Sequence, residues 1–174
     1  MNKEEVTLES EIIYNGKVVR LRRDKVLCPN GKESYREIID HHGGVGILLV
    51  IDNKILLINQ YRYAYKEEMY EIPAGKIEPN EEPGLTAVRE LKEETGYEVD
   101  EITYLGTIYP TCGYTNERIH LYLATDARKG EQKLDEDECI DYLFVPIEEV
   151  KQYISRGMIK DAKTICALHY YLTR

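Results

Sequence analysis

The chain has 174 residues, 43% of them hydrophobic and 32% charged, with a net charge of -9 and a pI near 5.1. That length suits one domain with an added subdomain and a core that needs no disulfide staples. The apolar content excludes a disordered chain, and the acidity argues against nucleic acid or an anionic membrane as partner.

The N-terminus, Met1-Asn2-Lys3-Glu4-Glu5, is charged where a secretory leader needs an apolar run. Residues 1–40 read as short strands forming a small antiparallel subdomain. Ile12 to Tyr14 and Val18 to Leu27 break at the turn dipeptide Asn15-Gly16, and Asn30-Gly31 leads into Ser34 to Ile39. Residues 41–174 read as a second, larger domain. Val45 to Ile51 is apolar on both faces, as a central strand requires, and is far too short to span a bilayer. Asp52-Asn53 turns the chain into Lys54 to Arg62. Glu81 to Thr95 is predicted to be a helix with Pro83 in its first turn and Gly96 as its C-cap. Strands are expected at Ile102 to Tyr109 and Arg118 to Ala124. Helices are expected at Val145 to Arg156 and at Lys160 to Leu172. This order predicts an α+β class: helices packed on a mixed sheet. Cys28, Cys112, Cys139 and Cys166 form no CxxC pair and no zinc spacing, so they read as reduced thiols of a cytoplasmic protein.

The 81–95 helix carries the chemistry. At about 100° per residue, Glu90, Glu93 and Glu94 share one arc of about 100°. Leu85, Val88 and Leu91 lie on another arc and are expected to anchor the helix in the core. Three neighbouring carboxylates repel one another, Glu90 and Glu94 at the unfavourable i,i+4 spacing and close to the negative end of the helix dipole. A hard divalent cation removes that penalty, since Mg²⁺ takes oxygen ligands and keeps open positions that phosphate oxygens fill. The pattern therefore points to phosphoryl or pyrophosphate chemistry.

The stretch Gly75 to Tyr97 resembles the Nudix box. Gly75, Glu81, Arg89, Glu90, Leu91, Glu93, Glu94, Gly96 and Tyr97 stand at its specified positions. The resemblance implies an α/β/α sandwich that hydrolyses a nucleoside diphosphate linked to a second moiety. It implies Mg²⁺, with Mn²⁺ as a substitute, on Glu90 and Glu94 with Glu93, Glu81 and the Ala74 carbonyl. Arg89 would hold a box carboxylate in place. Gln60-Tyr61-Arg62 and Glu71-Ile72-Pro73-Ala74-Gly75 are similar to the ADP-ribose pyrophosphatase branch, as is Gly157 to Thr164. The likeness implies that Arg62 faces the substrate phosphates and that Glu71 lies near the adenosine or the metal. In that branch a catalytic glutamate sits on a loop after the late strands. Here the matching stretch is Leu134-Asp135-Glu136-Asp137-Glu138, with Glu138 as the general base and Glu136 as the second choice.

One departure concerns substrate. The branch carries a proline about fifteen residues past the box, where this chain has Cys112, with Pro110 two residues earlier. Tyr114 and Glu117 are the expected substrate contacts in this stretch. ADP-ribose is the leading substrate. Another sugar nucleotide such as GDP-mannose, or a dinucleotide, is the alternative, and a non-catalytic nucleotide-sensing module is a third reading. The N-terminal strands resemble the sheet through which this branch forms a homodimer.

Overall fold

The computed structural model describes residues 2–134, 136 and 138–174. In chain order the strands and helices are β1 (Val6–Asn15), β2 (Arg20–Leu27), β3 (Glu33–Asp40), β4 (Gly44–Ile51), β5 (Lys54–Arg62), β6 (Glu67–Glu71), β7 (Ala74–Lys76), α1 (Pro83–Thr95), β8 (Tyr97–Glu98), β9 (Thr103–Ile108), β10 (Ile119–Ala124), β11 (Arg128–Lys129), β12 (Ile140–Pro146), α2 (Ile147–Ser155) and α3 (Ala162–Leu172). The chain divides into two compact units. One holds residues 1–43 and 109–118, the other residues 44–108 and 119–174.

The first unit is an antiparallel sheet in the order β1-β2-β3. Its β1–β2 turn closes with Gly16 N donating to Val19 O, and its second turn with Gly31 N donating to Cys28 O. Among its described residues only Asp24, Val26 and Gly43 are buried. Asp24 pairs with Arg22 and accepts from Ser10 Oγ at 2.7 Å, while Arg22 Nε also reaches both oxygens of Asp40 at 3.1 and 3.2 Å. Every residue of β1 is exposed, Val6, Leu8, Ile12 and Ile13 included. The segment 109–118 joins this unit through Ile39 N, which donates to Tyr114 O, and Thr115 Oγ1, which donates to Ile39 O.

The second unit is built on a mixed sheet in the order β12-β5-β4-β10-β9, with β10 parallel to β4 and the other pairs antiparallel. Asp52 and Asn53 both take left-handed φ, as a two-residue hairpin requires. Beyond it β4 and β5 pair only at Val50–Ile55 and Ile51–Lys54. They then part, and each takes a short strand of its own: β6 on β5 and β7 on β4. The split lies beside α1.

Strand period sorts the core into two clusters. Leu48, Val50, Ile55 and Leu57 face Val150 of α2 and Ala167 and Leu168 of α3. Val45, Ile47, Leu49, Leu56 and Ile58 face Ala87 and Leu91 of α1. Both faces of β4 and β5 are thus covered, which is why their sequences are apolar without alternation. Each fully buried Leu or Ile contributes about 1.5–3 kcal/mol, and the two clusters hold α1 on one side of the sheet and α2 and α3 on the other.

Three expectations are corrected. The first helix begins at Pro83, with Glu82 as N-cap, not at Glu81. Val145 and Pro146 end strand β12, so the second helix runs from Ile147 to Ser155 and Pro146 is its N-cap. Leu85 is 66% exposed and anchors nothing. It lies about 120° round the helix from Leu91, so burying Leu91 and Ala87 leaves it facing outward.

Candidate active site

Helix α1 begins with Pro83 and ends at Gly96, whose φ of 76° is left-handed and whose N–H reaches Lys92 O. Its acidic arc adjoins its buried arc. Glu94 lies about 60° from Leu91, Glu90 about 100° and Glu93 about 160°. Burial follows that sequence: the Glu94 residue is 3% exposed, the Glu90 side chain 15% and the Glu93 side chain 42%.

Arg89 gathers three of the carboxylates. It forks onto Glu81 through Nε at 2.9 Å and Nη2 at 3.1 Å, and Nη1 lies 2.8 Å from Glu93 and 3.0 Å from Glu90. The fork holds the Glu81 carboxyl down at about 2, and the surrounding carboxylates push Arg89 up. Glu94 lies beyond this group and accepts from Ala74 N at 3.0 Å.

Burial pushes Glu94 up to about 8. The Ala74 N–H opposes the rise, the charges of Glu90 and Glu138 add to it, and Arg62 reduces it. Burial also raises Glu90, against Arg89 and with Glu93 and Glu138. Glu138 is therefore close enough to act on both, although it comes from the loop before β12; Asp135 and Asp137 of that loop lie outside the described residues. Glu136 is exposed.

Strand β7 supplies the floor. Ile47 N donates to Pro73 O, and Gly46 stands opposite Ala74 in the ladder. Alternation then turns both polar groups of Ala74 away from β4, and its N–H meets Glu94 on that side. Gly75 lies beneath Glu90 so closely that a Cβ there would coincide with the Glu90 carboxyl. Only glycine admits that approach.

A second cluster stands at the end of β6. Glu71, whose side chain is 3% exposed, accepts a two-pronged bond from Arg62, Nε to Oε1 at 2.6 Å and Nη2 to Oε2 at 2.7 Å. Lys163 of α3 pairs with the same carboxylate and with Asp161 at 3.1 Å. Asp161 caps α3, accepting from Thr164 N at 2.9 Å, and Thr164 Oγ1 accepts from Ile72 N at 2.9 Å. Burial alone would raise Glu71, but Arg62 and Lys163 outweigh it and the carboxyl lies below its usual range. Arg62 is raised by Glu71 and feels Glu94, so this cluster adjoins the α1 carboxylates. Lys163 and Asp161 were not singled out from sequence, because Glu71, the partner of Lys163, is some ninety residues away.

Of the remaining expected site residues, Tyr114 and Glu117 belong to the first unit. Tyr114 is exposed, and Glu117 Oε1 lies 3.6 Å from His41 Nδ1. Cys112 is exposed in the same segment.

The donor set suits a hard cation. It is all oxygen, and two of its carboxylates, the buried Glu94 and the half-buried Glu90, are raised by desolvation. Among the described residues, no three His, Cys, Asp or Glu side chains already stand as an ion cage; Glu81, Glu90 and Glu93 turn onto Arg89 instead.

Residues 40–168 match the NUDIX domain family. The chain belongs to the Nudix family. Among relatives, the methanol dehydrogenase activator of Bacillus methanolicus is 43% identical over 96% of this chain and 92% of its own length. The ADP-ribose pyrophosphatase of Bacillus subtilis (strain 168) is 41% identical over the same shares. A crystal structure of an ADP compounds hydrolase superposes with a TM-score of 0.87, covering 98% of this chain and 93% of that one. At 20% identity this likeness shows the Nudix fold and nothing finer.

Proposed function

We propose that this Nudix protein hydrolyses the pyrophosphate bond of a nucleoside diphosphate linked to a second group, with ADP-ribose as substrate and AMP and ribose 5-phosphate as products. The observation that carries the reading is the pair Glu90 and Glu94, one half-buried and one buried on the same face of α1 and both raised, with Arg89 the cation that meets Glu90 and, among the described residues, a backbone N–H alone bonded to Glu94. The substrate rests on the ADP-ribose pyrophosphatase relative at 41% identity.

Glu90 and Glu94, with Glu93, Glu81 and the Ala74 carbonyl, would hold Mg²⁺ or, as a substitute, Mn²⁺. When bound, the metal supplies charge neutralisation at the phosphoryl oxygens and acidifies water. Arg89 fixes Glu81 and Glu93 so that they do not scatter into solvent. Arg62, held flat by Glu71, presents its guanidinium to phosphate oxygens. Glu138 takes or orients the proton of the attacking water. Tyr114 and Glu117 are assigned to the substrate's nucleoside or sugar.

The reading extends to a cytoplasmic homodimer. Four free cysteines suit a reducing compartment, and the exposed apolar side chains of residues 1–40 suit a second copy of the same sheet. Light scattering at twice the monomer mass is the expected result.

The deciding experiment incubates the protein and Mg²⁺ with ADP-ribose, GDP-mannose and a dinucleoside polyphosphate, identifying products by mass. AMP and ribose 5-phosphate from ADP-ribose, at the highest kcat/KM of the panel, are expected. Faster cleavage of GDP-mannose would reassign the substrate, and no turnover of any compound would remove the enzyme reading.

A further inference from the structure

A helix leaves its last four carbonyls without partners inside the helix. In α1 the last turn is fully served, and apart from its own cap the donors come from one segment, residues 129–133. Lys92 O accepts from Gly96 N at 2.7 Å, and Glu93 O from Lys133 N at 3.0 Å. Glu94 O accepts from Gln132 Nε2 at 2.5 Å, and Thr95 O from Lys129 Nζ at 2.8 Å. Gly96 O accepts from Gly130 N at 2.7 Å. This segment leads directly into the loop that carries Glu138.

Two of its side chains also reach β12, at the far end of that loop. The Gln132 amide lies 3.3 Å from Ile140 O, two residues past Glu138. Lys129 sits between the rings of Tyr97 and Tyr142, 4.6 and 4.5 Å from their centroids, and donates to the Tyr142 hydroxyl. The close fit explains Gly96 a second time. A Cβ there would stand 2.8 Å from Gln132 N and 3.0 Å from Glu131 C.

We propose that Gln132 is a positioning residue: one side-chain amide ties the backbone of Glu94 to the backbone of Ile140 and so fixes the base of the Glu138 loop against α1. The inference rests on Glu138 as the base in the proposed hydrolysis. Its physical content is that catalytic geometry is sensitive to displacements near 1 Å. Anchoring Gln132 and Ile140 to α1 fixes the chain on either side of Glu138 and lowers the entropy cost of holding that side chain in its working place.

The experiment is a double-mutant cycle on the full chain with Mg²⁺ and ADP-ribose. Gln132→Met keeps the length of the side chain and removes the donor, and Gln132→Ala removes both. Each should lower kcat about tenfold with KM within about twofold, while circular dichroism and Tm report the fold. In the Glu138→Gln background the same substitutions should change kcat by less than about twofold, because the group they position has already gone. A tenfold loss in both backgrounds would overturn the inference and leave Glu138 as the base. A Glu138→Gln variant with undiminished kcat would remove the base assignment and the inference with it. A Gln132→Met variant with wild-type kcat would overturn the inference alone.

Discussion

Glu71 and Glu94 are both buried glutamates of the same unit, and their carboxyls are driven in opposite directions. Glu71 has Arg62 on one side and Lys163 on the other, so its charge is matched inside the protein and its carboxyl is lowered. Glu94 has a single backbone N–H and two acidic neighbours, and although the charge of Arg62 reduces the rise, among the described residues no cation is bonded to it and it is raised to about 8. Burial is common to both; the difference is whether the chain supplies the positive charge. Where it does, the cluster fastens β6 to α3. Where it does not, a buried carboxyl is left without a matching cation, and that is the deficit the proposed divalent ion would fill.

Removing each carboxylate tests that contrast. Glu94→Gln should cut kcat by about 10³-fold and leave the Tm of the metal-free protein unchanged or higher, because a poorly compensated buried acid has gone. Retained activity would show that the deficit serves no catalysis. Glu71→Gln should do the reverse to stability. It removes the charge that Arg62 and Lys163 share, leaving Lys163 with Asp161, and should cost about 3 kcal/mol in a denaturant titration; a loss within about 0.5 kcal/mol would mean that the matched cluster is dispensable.

Metal sharpens the comparison on the Glu94 side alone. Mg²⁺ at a hundred times its Kd should stabilise the wild type by about 2.7 kcal/mol and the Glu94→Gln variant far less; equal shifts in both would place the ion elsewhere. The sign with pH follows from the same carboxyl. Folded Glu94 keeps its proton up to about 8 while the unfolded chain releases it near 4.5, so the metal-free protein should lose stability as pH rises between those values. Bound metal should flatten that limb. Glu71 gives the smallest and opposite effect. Its lowered carboxyl stabilises the fold above the unfolded value of 4.5, and that contribution should fade as pH falls below it. Acid titration of Glu71→Gln should lack this loss.

Much of the site lies in a short stretch and was legible for that reason. Glu90, Glu93 and Glu94 share a helix, so spacing alone put them on one arc, and Pro83 and Gly96 bounded it. What spacing left out was the exposure gradient along that arc, since it depends on which side of α1 meets the sheet. Ile140 to Pro146 was not read as a strand because an acidic loop precedes it and Pro146 looks like a helix start; its pairing with β5 lies some eighty residues away. The Glu71–Lys163 pair and the Gln132 tie were hidden for the same reason. Polar contacts between distant segments leave no periodic trace.

The sheet of the second unit also acts as a partition. Neighbouring residues such as Ile47 and Leu48 belong to different cores, one under α1 and one under α2 and α3. A Leu168→Ala cavity can therefore weaken the fold by about 2–5 kcal/mol without disturbing the carboxylates on the far side. Thermal robustness is thus adjustable through the α2–α3 layer, apart from the face of α1 that carries the proposed site.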